Sequence, residues 1–152
     1  MRPAGAAVIK MTVTGVDAVK LELRNIADRV TDAARARMKR SADRMVKEAQ
    51  LNAPVDEHNL EESIRIEKDY AADGRLEIDV IAGGMVGGVD VDDYAAEMHE
   101  NYESYRPGEG TIEKRLANPG RYVGGKFLER AAEAENEKLP AEIRSDIDKV
   151  IG

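Results

Sequence analysis

A chain of 152 residues with 23 Lys and Arg against 30 Asp and Glu carries a net charge of −7, which argues against wholesale coating of DNA or an anionic membrane. The absence of cysteine removes disulfides, thiolate zinc sites and thiol catalysis; with no Trp and Phe127 the only Phe, the core must be aliphatic. A chain of this length buries a core as one domain without staples, and no apolar run approaches the roughly 18 residues of a membrane span.

Residues 1–6 read as a flexible arm and residues 7–152 as a single domain. No apolar stretch follows Met1–Gly5, so no secretory signal is expected. Ala7–Thr14 alternates, with Ile9, Met11 and Val13 on one side, which predicts a half-buried strand. Thr14 and Asp17 fit a capping pattern. From Val19 to Ala49, apolar or small residues then recur every three or four positions, which predicts one helix over 16–52. Pro54 ends it. Such a helix is longer than a domain of this size needs, so it either kinks or packs partly on another subunit. Ser63–Tyr70 and Arg75–Ala82 alternate about Asp73-Gly74, which predicts an antiparallel hairpin over 63–82.

Gly83–Gly88 reads as a mobile loop, since no Gly-Lys-Ser/Thr and no helix follow it directly. Asp92 or Asp93 caps a short helix through Asn101. Residues 101–123 show no period and hold Pro107, Gly108, Gly110, Pro119 and Gly120, which predicts a long, structureless assembly loop. Helical sequence returns over 125–151, and Pro140 kinks it or opens a second helix there.

A search for chemistry finds little. His58 and His99 are the only histidines. His99-Glu100 are sequence neighbours and point apart on a helix, and Glu97 and Glu103 complete no zinc pattern. Asp90, Asp92 and Asp93 lack the Gly and distal Glu of a calcium loop and read as solvated caps. Ser41, Ser63, Ser104 and Ser145 sit in no nucleophile elbow. No catalytic, cofactor-binding or metal-ligating residue is assigned, and the reading is non-enzymatic. Charge is more informative. Residues 35–47 hold six cations against Asp43, a local +5, with Arg37, Arg40, Arg44 and Lys47 along one stripe. Residues 73–110 hold ten acids against Arg75 and Arg106, a local −8. These are solvated faces, a nucleic-acid contact, or two halves of a contact between copies.

Ala53-Pro54-Val-Asp56-Glu-His-Asn-Leu60-Glu-Glu-Ser63-Ile64 resembles the Ala-Pro-x-Asp-x-Gly-x-Leu-x-x-Ser-Ile motif of the neck, or tail-completion, proteins of long-tailed bacteriophages. Gly15, Asp17 and Val19 at the start of the helix agree with that family. So do Tyr94-Ala95 leading to Met98-His99-Glu100, and Phe127-Leu128 at the start of the last helix. The resemblance spans residues 14–137. His58 stands where the family usually has Gly, and 101–123 is longer than the family loop.

The resemblance implies a structural virion protein of the neck. It would form a homo-oligomeric ring that joins the DNA-filled head to the tail and continues the DNA channel. DNA would pass without sequence-specific binding. The implied partners are a head-side adaptor or portal-associated protein and a tail-side terminator or tube protein. Assembly would take place in the host cytoplasm. The fold class is α+β: an N-terminal strand plus hairpin packed against the long helix and a C-terminal helical region. Arg37, Arg40, Arg44, Lys47, Tyr102, Tyr105 and Tyr122 are the candidate interface residues; Arg40 and Arg44 would face the acidic segment of the next copy. The alternatives are a tail terminator or minor capsid protein and, in another class, a small nucleic-acid-associated protein using the basic stripe.

Overall fold

The computed structural model describes residues 9–14, 28–55, 59–69 and 77–152. In chain order these form strand β1 (Ile9–Thr14), helix α1 (Asp28–Asn52), the one-turn helix α2 (Asn59–Ser63), and strands β2 (Arg65–Asp69) and β3 (Glu77–Ala82). A miniature hairpin β4–β5 (Met85–Val86 and Val89–Asp90) follows, then α3 (Asp92–Glu100), a 3-10 turn (Tyr102–Ser104), α4 (Glu109–Ala117) and α5 (Phe127–Ile151). The fold is α+β, as the alternating and helical periods imply.

The apolar stripe of α1 does what its spacing dictates. Val30, Ala34, Met38, Ala42, Met45 and Ala49 are all fully buried. They pack in one core with Leu128, Ala131, Ala132, Leu139, Ile143 and Ile147 of α5. The alanines let the two helices approach and the methionines fill the gaps between them. The pair runs antiparallel: Asn52 reaches Phe127 at one end and Arg37 reaches Asp146 towards the other. The 25 described residues of α1 make a rod of roughly 37 Å. The expected first turns at 16–27, residues 15–17 of the capping pattern that starts at Thr14, and the arm at 1–6 lie outside the described residues.

The sheet order is β1-β3-β2, antiparallel throughout. Met11 sits opposite Val80 on one side and Ile66 opposite Val80 on the other, with a bulge between Ile66 and Lys68. The 63–82 hairpin is therefore present, while its expected Asp73-Gly74 turn lies outside the described residues. Ile78, Val80 and Ala82 line the core, but Asp79 and Ile81 are buried as well, so the central strand is covered on both faces. Ser63 ends α2 instead of opening the strand. Its hydroxyl donates to the Leu60 carbonyl (2.7 Å) and accepts the Gly83 N–H (3.1 Å), tying α2 to the end of β3.

Three segments differ from their sequence reading. Gly83–Gly88 is no mobile loop: it enters the β4–β5 hairpin, whose turn residues Gly87 (φ 55°) and Gly88 (φ 83°) take the left-handed angles of a primed hairpin turn. Residues 101–123 are not structureless, because they contain α4. The C-terminal region is one helix through Pro140, not two. Pro140 cannot donate to the Asn136 carbonyl, but both residues are exposed, so water can serve that carbonyl.

Candidate assembly site

The three motif segments converge at one end of the α1–α5 pair. Asn52 donates its side-chain N–H to the Phe127 carbonyl (3.3 Å), and its own carbonyl accepts the Gly124 N–H (2.8 Å). Ala53 and Pro54 are buried behind it. Leu60, Ile64, Ala95, Phe127 and Leu128 share the core, with Tyr94 packed against it. The His99 ring meets Phe127 edge-on, centroids 4.9 Å apart. Its Nε2 accepts the Glu129 N–H (3.2 Å), which leaves Nδ1 to donate to Glu100 Oε1 (3.0 Å). Burial pushes the His99 pKa down, against the pull of Glu100, so the imidazole is held neutral. The Glu100 carboxyl is held below its usual range, first by Lys126 and then by His99. Lys126 is the one described non-glycine residue with positive φ (54°), and its N–H bonds the His99 carbonyl (2.7 Å). The motif residues thus knit the core and the helix ends together. Asp56 and His58 lie outside the described residues.

The basic stripe is not a free face. Arg37 donates to Asp146 from Nε and Nη2 (2.6 and 3.0 Å) and to Glu142 (3.3 Å). Arg44 donates to Glu142 (2.5 and 3.0 Å) and to the buried Glu135 (2.8 and 3.1 Å), which also takes the Ser41 hydroxyl (2.9 Å). Arg40 lies 3.3 Å from Asp146 with its side chain half exposed. The Arg44 pKa is raised by Glu142 and then Glu135, and that of Arg37 by Asp146; the Asp146 and Glu142 carboxyls are held low in return. The expectation that Arg40 and Arg44 face a neighbour's acids meets nearer partners: both arginines clamp α1 to α5 within the chain, while Arg40 stays half exposed. The reason is spatial, since Glu135, Glu142 and Asp146 project at helical spacing from the antiparallel partner helix. Lys47 alone of the stripe forms no ion pair among the described residues.

Segment 101–123 is pinned to the body at α4. Lys114 Nζ donates to the Gln50 and Ala53 carbonyls (2.5 and 2.7 Å), capping the C-terminal end of α1, and to Glu61 (2.8 Å). The Val55 N–H donates to Thr111 (3.0 Å). Gly110 admits this contact, because a Cβ there would meet Val55 at 2.8 Å. Tyr102 is buried, against its reading as an interface residue, whereas Tyr105 and Tyr122 remain half exposed. Tyr105 donates to Glu97 (3.1 Å). Tyr122 lies under the guanidinium groups of Arg130 (4.7 Å) and Arg115 (5.7 Å). Burial lowers the pKa of Arg130, which bonds the Gly125 and Tyr122 carbonyls.

The residues that sequence reasoning missed are Ile112 and Leu116 on α4, 46% and 77% exposed. Their spacing of four, with Glu109 in the first turn and Lys114 and Arg115 in the last, is a helix signal, masked by Pro107, Gly108 and Gly110. Nor does Asp92 cap or stay solvated: it is buried and accepts the Gly84 N–H, while Asp90 takes the Asp92 N–H (3.0 Å). Among the described residues no group of three His, Cys, Asp or Glu is placed to hold a metal ion, and no helix is long and apolar enough to cross a membrane.

No curated protein and no solved structure matches the chain significantly. Residues 17–130, most of the chain, match the model of the HK97-gp10-like family, described as a tail component of bacteriophage HK97, and the chain belongs to that family.

Proposed function

We propose that this member of a family of bacteriophage tail components is a neck protein: a homo-oligomeric ring joining the DNA-filled head to the tail and continuing the DNA channel. The observation that carries the reading is the exposed Ile112–Leu116 side of α4. A helix locked to the body on one side by Lys114, Thr111 and Arg115 presents two aliphatic side chains to water on the other, which suits an assembly surface. A ring needs such surfaces on every copy, each meeting a different patch of the next. Exposed acids such as Asp93, Glu103, Glu133 and Glu137 supply like charge, past which DNA slides without sticking. A head-side adaptor and a tail-side terminator or tube protein are the neighbours this position requires. With Arg37 and Arg44 committed to carboxylates of α5, the basic stripe gives little support to the nucleic-acid-binding alternative. Sedimentation velocity and negative-stain imaging of the purified protein are the test. Closed rings are expected; a monomer throughout the micromolar range, with no ring formed on adding its flanking virion proteins, would remove the reading.

A further inference from the structure

Ile112 and Leu116, one turn apart, share one side of α4. Glu109 and Glu113 are exposed beside them, and the opposite side is occupied by Thr111, Lys114 and Arg115. Two aliphatic anchors flanked by carboxylates suit an apolar groove with a cationic rim.

The molecule has such a groove, of about 520 Å³, between α1 and the edge strand β2. Val46, Ile64 and Ile66 provide its apolar lining, and Lys47 and Arg65 its cations. Asp43 also lines it, but its carboxylate lies 3.7 Å from Lys39, so the rim remains net positive. Arg65 is turned partly inward, donating to the Ser63 and Gly83 carbonyls (2.7 and 2.6 Å), and lies 3.8 Å from Glu67, so among the described residues Lys47 is the cation of the rim that forms no ion pair. The larger cleft of about 670 Å³ beside Pro54, Met98 and Tyr102 is the poorer receptor, because Asp93 and Glu97 outnumber Arg106 on its edge and would repel the glutamates of α4.

We propose that α4 of one copy seats its Ile112–Leu116 side in the α1–β2 groove of a second copy, with Glu113 facing Lys47. The contact is heterologous, so it propagates from copy to copy and closes only when the rotation allows. It rests on the reading of the chain as a self-assembling ring and names the two surfaces that meet. Apolar burial supplies the affinity, and the charges set register and encounter rate.

The test uses the full chain. Leu116→Asp and Lys47→Glu, both at exposed positions, should keep the wild-type circular dichroism. Leu116→Asp should raise the midpoint concentration of assembly about 30-fold, the effect of losing a central anchor. Each variant spoils one surface only. Mixing the two should therefore give a heterodimer that grows no further, and Glu113→Lys should restore assembly to Lys47→Glu. If both single variants form rings like wild type, the contact is wrong while the ring stands. If wild type forms no ring, cross-linking decides the contact separately. The chain has no cysteine, so Leu116→Cys mixed with Lys47→Cys reports it cleanly under mild oxidation. A mixed disulfide in excess of either homodimer supports the contact, and its absence overturns it.

Discussion

Replacing Arg44 by methionine removes the centre of the α1–α5 clamp while keeping its aliphatic stem. The Glu135 side chain is 1% exposed and would retain the Ser41 hydroxyl at 2.9 Å and Lys138 at 3.6 Å. Stripping one partner from a buried ion pair costs about 3–5 kcal/mol, because the remaining charge stays desolvated. Arg44 is itself 37% exposed and Lys138 can move closer, so the low end applies, about 3 kcal/mol. For a chain of this size that corresponds to a fall in Tm of roughly 6–12 °C. Thermal unfolding followed by circular dichroism at one fixed protein concentration measures it, since assembly would otherwise shift the midpoint. Adding Glu135→Leu should recover most of the loss, because the orphaned charge is then gone. A loss of no more than about 1 kcal/mol for Arg44→Met would mean that the pair behaves as a solvated surface contact, and the clamp would be refuted.

The same clamp sets an acid limit. Asp146 and Glu142 have native pKa values below their unfolded ones, so the native state binds fewer protons; their contribution is present above the ordinary carboxylate range and lost as pH falls through the native values. Urea midpoints measured down to about pH 3 should fall more steeply for wild type than for Arg37→Met/Arg44→Met. His99 acts earlier, since its depressed native pKa means that stability is complete at pH 7 and declines below about 6.5, the unfolded value. His99→Gln should flatten the Tm profile between about pH 5 and 6.5, and a parallel profile would show that His99 is not held neutral. Leu60→Ala, at a fully buried position, should cost about 2–5 kcal/mol in urea unfolding. Lys114→Met should detach α4 and open residues 106–120 to limited proteolysis, whereas wild type should resist cleavage there; equal cutting of both would remove the anchoring role.

The parts of the fold that were legible in the sequence are those with a long, uninterrupted period. The α1 stripe runs at three- and four-residue steps into Pro54, and each of its members from Val30 to Ala49 is buried. The 63–82 hairpin alternates in both arms, and Pro140 alone could not say whether the last helix breaks. Short elements were obscured by their own punctuation. In α4, two aliphatic residues stand among glycines and charges, too few to establish a period, and the hairpin turn at Gly87-Gly88 looks the same as a flexible linker when nothing shows the paired strands. The site was harder for a different reason. Charge totals along 35–47 and 73–110 compare stretches of chain, whereas Arg37 and Arg44 answer to Glu135, Glu142 and Asp146, which only the antiparallel helix pairing brings opposite them.

The position of Pro140 gives the Arg44 contacts a mechanical meaning. Glu135 precedes the proline and Glu142 follows it, and one guanidinium grips both. Arg44 is therefore a splint laid across the weakest step in the hydrogen-bond ladder of α5. The two halves of that helix are held in line by a cross-brace to α1 as well as by their own backbone. Cutting the brace would let the segment after Pro140 breathe as a separate unit, visible as faster amide exchange beyond residue 140 with the first half of the helix unchanged.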